Sequence, residues 1–116
     1  MIGERYKAIV SNMSEYTYHI LGCGAIGSAA ATQLTRMGAD KFALYDMDTV
    51  EDVNIGVSQF LNKDIGKAKV DALKEHILNI NNRSTISTFN ELFCEYYPQD
   101  DNEIAILGFD NMLARM

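Results

Sequence analysis

The sequence has no tryptophan, one proline, two cysteines and two histidines among its 116 residues. Each scarcity closes off a class of explanation. Cys23 and Cys94 stand 71 positions apart with no CxxC pair, which favours free thiols over a disulfide framework or a zinc site. His19 and His76 are isolated, so no His/Cys cluster has ligand spacing. Basic residues are outnumbered, ten Lys and Arg against sixteen Asp and Glu, for a net charge of −6. Generic binding to nucleic acid or an anionic membrane needs the opposite balance. No apolar run approaches the ~20 residues of a membrane span. The opening Met1-Ile2-Gly3-Glu4-Arg5 is not the basic-then-apolar pattern of a secretory signal. The expectation is a cytoplasmic, metal-free protein of one domain, residues 1–116, that binds neither nucleic acid nor membrane.

What is present is a regular alternation of elements. Residues 4–13 place Tyr6, Ile9, Val10 and Met13 at helical spacing and predict a short amphipathic helix, with a linker to residue 17. Residues 18–21 form a short β-rich run that ends at glycines. Residues 26–37, with Ala29, Ala30, Ala31 and Leu34 and no proline, suit a close-packed helix that Gly38 terminates. Residues 41–45 read as a second strand. Residues 64–80 carry Val70, Leu73, Ile77 and Ile80 on one helical stripe. Residues 85–89 predict a third strand. Residues 103–109 predict a fourth, apolar enough to be buried on both faces. Pro98 falls in the polar loop between these two.

Strands alternating with helices imply an α/β fold, a Rossmann-like, mainly parallel sheet flanked by helices with right-handed crossovers. The chain stops at Met116, six residues after Asp110, where the next helix should begin. The sheet is therefore expected to be truncated after its fourth strand and left open on one flank. A second copy or a partner chain would cover it, or the chain is part of a longer protein.

Gly22-Cys23-Gly24-Ala25-Ile26-Gly27 spells G-x-G-x-x-G between the first strand and the first long helix. Gly22 permits the tight turn, Gly24 lets a phosphate approach the backbone, and Gly27 lets the helix pack on the strand. The free N–H groups and dipole at the helix start favour an anion. No P-loop lysine follows, so this is not a Walker sequence. Asp46, at the end of the second strand, sits where an acidic residue accepts hydrogen bonds from ribose hydroxyls. To this point NAD and ATP fit equally well, and a ligand-free structural turn stays open.

The stretch DMDTVEDVNIGVSQFLNKDIGKAKVD, residues 46–71, separates them. With the glycine loop it resembles the ThiF/MoeB/HesA family and its relatives, the adenylation domains of ubiquitin-activating enzymes. Asp46, Asp48, Val50 and Asn54 match DxDxVxxxN. Gly66 to Lys69 match GxxK, and Asp110-Asn111 follows the fourth strand. The resemblance runs from about residue 20 to 115 and covers the N-terminal half of a family member. It implies an adenylyltransferase that uses ATP and Mg²⁺ to activate the C-terminal carboxylate of a small ubiquitin-like or sulfur-carrier protein, forming an acyl-adenylate and pyrophosphate, and a homodimer. By that resemblance Gly22, Gly24, Ala25 and Gly27 cradle phosphate, and Asp46 binds the ribose. Asn54 contacts the nucleotide near the reacting phosphate, and Asp48 belongs to the same nucleotide-binding set. Lys69 holds phosphate oxygens, and Asp110 positions Mg²⁺ through the nucleotide.

Read without the family, the same residues have plainer roles. Lys69 fits a solvated helix lysine, as do Lys67 and Lys74; Asp110 fits a helix N-cap, and Asp48 a turn residue. Cys23 reads as a small filler, Cys94 as a buried thiol, and both histidines as structural. The sequence also departs from the family. After Asn54 come Ile55-Gly56-Val57-Ser58-Gln59, so Gln59 stands without the arginine expected beside it. Arg5-Tyr6-Lys7-Ala8-Ile9 keeps only the start of R-Y-x-R-Q. A guanidinium is not replaced by a nearby lysine, which motivates a second reading: a non-catalytic or truncated subunit that pairs with a fuller partner chain. An NAD-binding oxidoreductase module is a third, supported by the loop and Asp46 alone.

Overall fold

The structure, a computed structural model, describes residues 12–52, 55, 58–91 and 101–108. Four five-residue strands, β1 (Thr17–Leu21), β2 (Lys41–Tyr45), β3 (Thr85–Phe89) and β4 (Glu103–Leu107), form one sheet in the order β3-β2-β1-β4. Every pairing is parallel. Helix α1 (Ala25–Arg36) connects β1 to β2, and α2 (Lys69–Ile80) connects β2 to β3. This is the Rossmann-like α/β arrangement expected. Of the helix expected over 4–13 only the last two residues, helical in backbone, are described.

The register lines up apolar residues in rows across the sheet. Ile104, Tyr18, Phe42 and Ile86 form one row, and Ile106, Ile20 and Leu44 the next. Tyr18, Ile20, Phe42 and Leu44 meet Ala31 of α1 and Val70, Leu73 and Ile77 of α2 in a single core. Ile20, Leu44, Leu73 and Ile77 are fully buried, each worth about 1.5–3 kcal/mol against an exposed reference. Both helices therefore share one face of the sheet. Helix α1 turns polar residues inward too: Thr32 and Thr35 are buried, and their hydroxyls donate to the Ser28 and Ala31 carbonyls at 2.8 and 2.7 Å. That back-bonding satisfies them without a tertiary partner.

Gly38 ends α1 as anticipated. It has φ +111°, its N–H donates to the Thr35 carbonyl, and the Ala39 N–H donates to that of Leu34. Those two bonds make a Schellman motif. Two expectations are corrected. The helix predicted from residue 64 begins at Lys69, because Asn62–Asp64 forms a 3-10 turn and Gly66 takes φ +92°; Ile80, at its end, is only half-buried. The fourth strand is not buried on both faces. It lies at the sheet edge with Ile104 and Leu107 exposed, and Ile106 alone of its residues packs on the core.

On the sheet face away from the helices, His19 is buried between neighbours. Its ring nitrogens lie 3.0 Å from the Tyr45 hydroxyl and 2.8 Å from a Glu103 carboxylate oxygen. No helix among the described residues is long and apolar enough to cross a membrane.

Candidate functional site

Strand order reverses between β1 and β4, and in open α/β sheets ligands bind at the carboxyl ends of the strands flanking such a reversal. The glycine loop leaves β1 there. Gly22 takes φ +101°, and its N–H donates to the Tyr45 carbonyl at 2.8 Å, extending the β1–β2 ladder by one bond. At Gly24, the N-cap of α1 with φ −80° and ψ −145°, the value of φ alone does not call for glycine. Steric fit does demand it at Gly27. A Cβ built there would stand 1.8 Å from the Gly22 carbonyl oxygen, which is backbone and cannot swing away.

The N-terminus of α1 has no side-chain cap and no acidic residue in its first turn, which starts at Ala25. The leading N–H groups of a helix have no acceptor inside it, and the dipole concentrates positive potential at that end. An anion such as a phosphate fits this terminus.

Asp46 follows β2 and reaches back to the loop. One carboxylate oxygen accepts from the Cys23 N–H at 2.8 Å and the other from the Asp48 N–H at 2.8 Å. Each oxygen keeps a further lone pair, so the carboxylate can hold the loop and still accept from a ligand hydroxyl. Cys23 is fully buried beside it. Burial, and then the Asp46 charge, push its thiol well above the ordinary range, with the Lys69 charge opposing. Such a thiol is not a nucleophile at neutral pH. Lys69 joins this group through Asp48, whose backbone N–H is held by Asp46 and whose carboxylate lies 4.0 Å from the Lys69 Nζ.

Lys69 comes to that place by backbone pairing. Residues 48–50 lie antiparallel to residues 66–69: the Val50 N–H donates to the Lys67 carbonyl, the Gly66 N–H to the Val50 carbonyl, and the Lys69 N–H to the Asp48 carbonyl, at 2.8 to 2.9 Å. Buried Val50 anchors this strap in the core. The Lys69 side chain is only 12% exposed, and its Nζ lies 4.0 Å from the Asp48 carboxylate. Asp48, Thr49, Glu51 and Lys69 line an open pocket of about 240 Å³. Lys67, two residues earlier, belongs to an ion-pair group with Asp64 and Glu75. It precedes the helix, so the expectation of a solvated helix lysine does not hold for it.

Gly22, Gly24, Ala25, Gly27, Asp46, Asp48 and Lys69 thus converge at the carboxyl end of the sheet. Asn54 and Asp110, with Asn111, Arg115 and Cys94, lie outside the described residues.

The family profile of the ThiF family matches residues 5–116. This chain belongs to the ThiF family. Its relatives include ubiquitin-like modifier-activating enzyme 5 of Bombyx mori, 39% identical over 85 residues, which covers 71% of this chain and 22% of the relative. The rice enzyme of that name is 37% identical over 76 residues, covering 66% of this chain and 18% of the relative. The chain spans about a fifth of the length of these relatives. Among solved structures it resembles Escherichia coli MccB with ATP (TM-score 0.68, 27% identity, 72% of this chain and 25% of that one). It is equally similar to the tRNA N6-threonylcarbamoyladenosine dehydratase TcdA of E. coli in complex with ATP (TM-score 0.70, 26% identity, 74% and 36%).

Three contributors to this ThiF-family site were not anticipated. Gly108 ends β4, donates its N–H to the Leu21 carbonyl, and packs so closely that an added Cβ would lie 2.3 Å from the Gly22 oxygen and 2.7 Å from the Gly27 Cα. The signal was a glycine inside the apolar run at 103–109. Ser28 is fully buried and its Oγ accepts from the Gln59 N–H at 3.3 Å, tying the segment between the two halves of the strap to α1. Asp64, also buried, organises the turn before Lys69.

Proposed function

We propose that this chain is an ATP-binding, E1-like adenylyltransferase domain that activates the C-terminal carboxylate of a small ubiquitin-like or sulfur-carrier protein. The observation that carries the reading is the convergence of an uncapped helix terminus, the Asp46 carboxylate and the near-buried Lys69 ammonium at one end of the sheet. In this reading the N–H groups around Gly24 and Ala25 receive phosphate, and Gly22 and Gly27 keep that backbone in place. Asp46 accepts from the ribose, Asp48 orients Lys69, and Lys69 neutralises phosphate oxygens. Asn54 and Asp110 take the roles the family resemblance implies, contact near the reacting phosphate and Mg²⁺ positioning. Two anions meet as a carboxylate attacks the α-phosphorus, so fixed positive charge at that point lowers the barrier. Similarity to structures of MccB and TcdA with ATP supports the nucleotide. The ubiquitin-like modifier-activating relatives support a ubiquitin-like partner.

A second reading, a non-catalytic subunit completed by a partner chain or second copy, rests on Val57-Ser58-Gln59, where the family pattern has arginine beside the glutamine. Thermal melts with Mg-ATP and with NAD test the main proposal. Mg-ATP at ~100 times its dissociation constant should add about 2.7 kcal/mol of stability, and Lys69→Ala should diminish that shift. A shift with NAD alone, or with neither nucleotide, refutes it. Nucleotide binding without pyrophosphate release in the presence of a carrier peptide selects the second reading.

A further inference from the structure

We infer that Asp64, Lys67 and Glu75 form a clasp that positions Lys69 at the phosphate-binding end of the sheet; the inference rests on the nucleotide reading above for its consequence and on geometry for its existence. The segment that leads into α2 contains no long regular element. Asn62–Asp64 is a single 3-10 turn, and Gly66 stands in open space with φ +92°. Asp64 is buried, and one of its oxygens accepts from the Leu61 N–H at 2.9 Å. Its other oxygen lies 3.4 Å from Lys67 Nζ. The same Nζ lies 2.9 Å from Glu75, two turns along α2, and Lys63 pairs with the second Glu75 oxygen.

A buried carboxylate left without its cation is costly, so Lys67 is held toward Asp64 and Glu75 while its carbonyl is held by the Val50 N–H. Residues 64–67 are thereby fixed at both side chain and backbone. Lys69, one residue past the Thr49–Ala68 bridge, inherits its direction from them. Lys67 pairs with Glu75, and Lys69 lines the pocket. The two lysines of one GxxK segment thus have separate tasks, one structural and one toward ligand.

The test compares Asp64→Asn, Lys67→Met and Glu75→Gln in the full chain. Acetic anhydride labelling, read per lysine by mass spectrometry on nucleotide-free protein, should show Lys69 modified several-fold faster in Asp64→Asn and Lys67→Met, with exposed Lys41 as internal standard. Unchanged Lys69 labelling in both variants overturns the clasp whether or not nucleotide binds. Glu75→Gln, an exposed change that leaves the core untouched, should raise Lys69 labelling by a smaller factor and guards against general unfolding. Faster labelling of Lys41 as well marks a merely structural role and also overturns it. The affinity arm uses Mg-ATP. Asp64→Asn should weaken binding about tenfold in the parent and less than about twofold on a Lys69→Ala background, since coupled residues are not additive. Equal losses in both backgrounds refute action through Lys69. Absence of parental Mg-ATP binding refutes the nucleotide reading and leaves the labelling result to decide the clasp.

Discussion

The two sides of the candidate site are built on opposite physical plans. On one side, Gly27 and Gly108 bring α1 and β4 against Gly22 at the end of β1 through missing side chains, with backbone atoms where a Cβ would stand. On the other, residues 48–69 place Lys69 through charged side chains and a few strap hydrogen bonds. Hard-core repulsion rises steeply and tolerates no substituent. Exposed ion pairs are soft, screened and individually worth little. The glycine side should therefore fail as a fold when altered, and the lysine side should fail as a function.

The largest effect is expected at Gly27. Gly27→Ala sets a methyl 1.8 Å from a backbone oxygen, and should lower urea stability by about 3 kcal/mol or more. Gly108→Ala should follow closely; the comparison breaks if either variant keeps parental stability. Asp46→Asn comes next. An amide can accept from only one of the two N–H groups at Cys23 and Asp48, which should cost about 1–3 kcal/mol. It should also weaken Mg-ATP binding. Lys69→Ala sharpens the contrast from the other side: Mg-ATP affinity should fall about tenfold or more, while the free energy of unfolding in urea changes by about 1 kcal/mol or less.

The smallest effect concerns acid. Hydrogen bonds from Lys63, then from Lys67, hold the Glu75 carboxyl down at about 2. A folded-state value below the unfolded one of about 4.3 means this contribution is whole above about pH 4.5 and is lost as pH falls toward 2. Glu75→Gln should flatten the acid limb of a stability profile in that window and leave the neutral region alone. An unchanged acid limb would mean that the pair carries no stability.

How far this was readable varies by element. The strands at 41–45 and 85–89 coincide with the sequence reading because short β-rich runs between turn residues carry their own signal. The end of α1 was legible for a local reason as well, since only glycine takes φ +111° cheaply at that C′ position. The start of α2 was not. The apolar stripe reads as one helix from residue 64, whereas the buried Asp64 and the positive-φ Gly66 divert the chain first. Lys67 and Glu75 were unreadable as a pair, because eight residues apart on a continuous helix lie about 12 Å apart along its axis. They meet because residues 67 and 68 leave the helical path, Ala68 being bridged to Thr49, before α2 begins at Lys69.

The sequence by itself determined the α/β alternation, the glycine loop after β1, the acid after β2 and the family. Those properties are local, set by backbone conformation and by side chains within one or two turns of each other. Tertiary structure alone decided that Asp46 holds the Cys23 N–H and that Gly108 is locked against the loop. It also decided that Lys67 pairs with Asp64 and Glu75. Each of these depends on a steric or electrostatic match between segments that meet only once the sheet has formed.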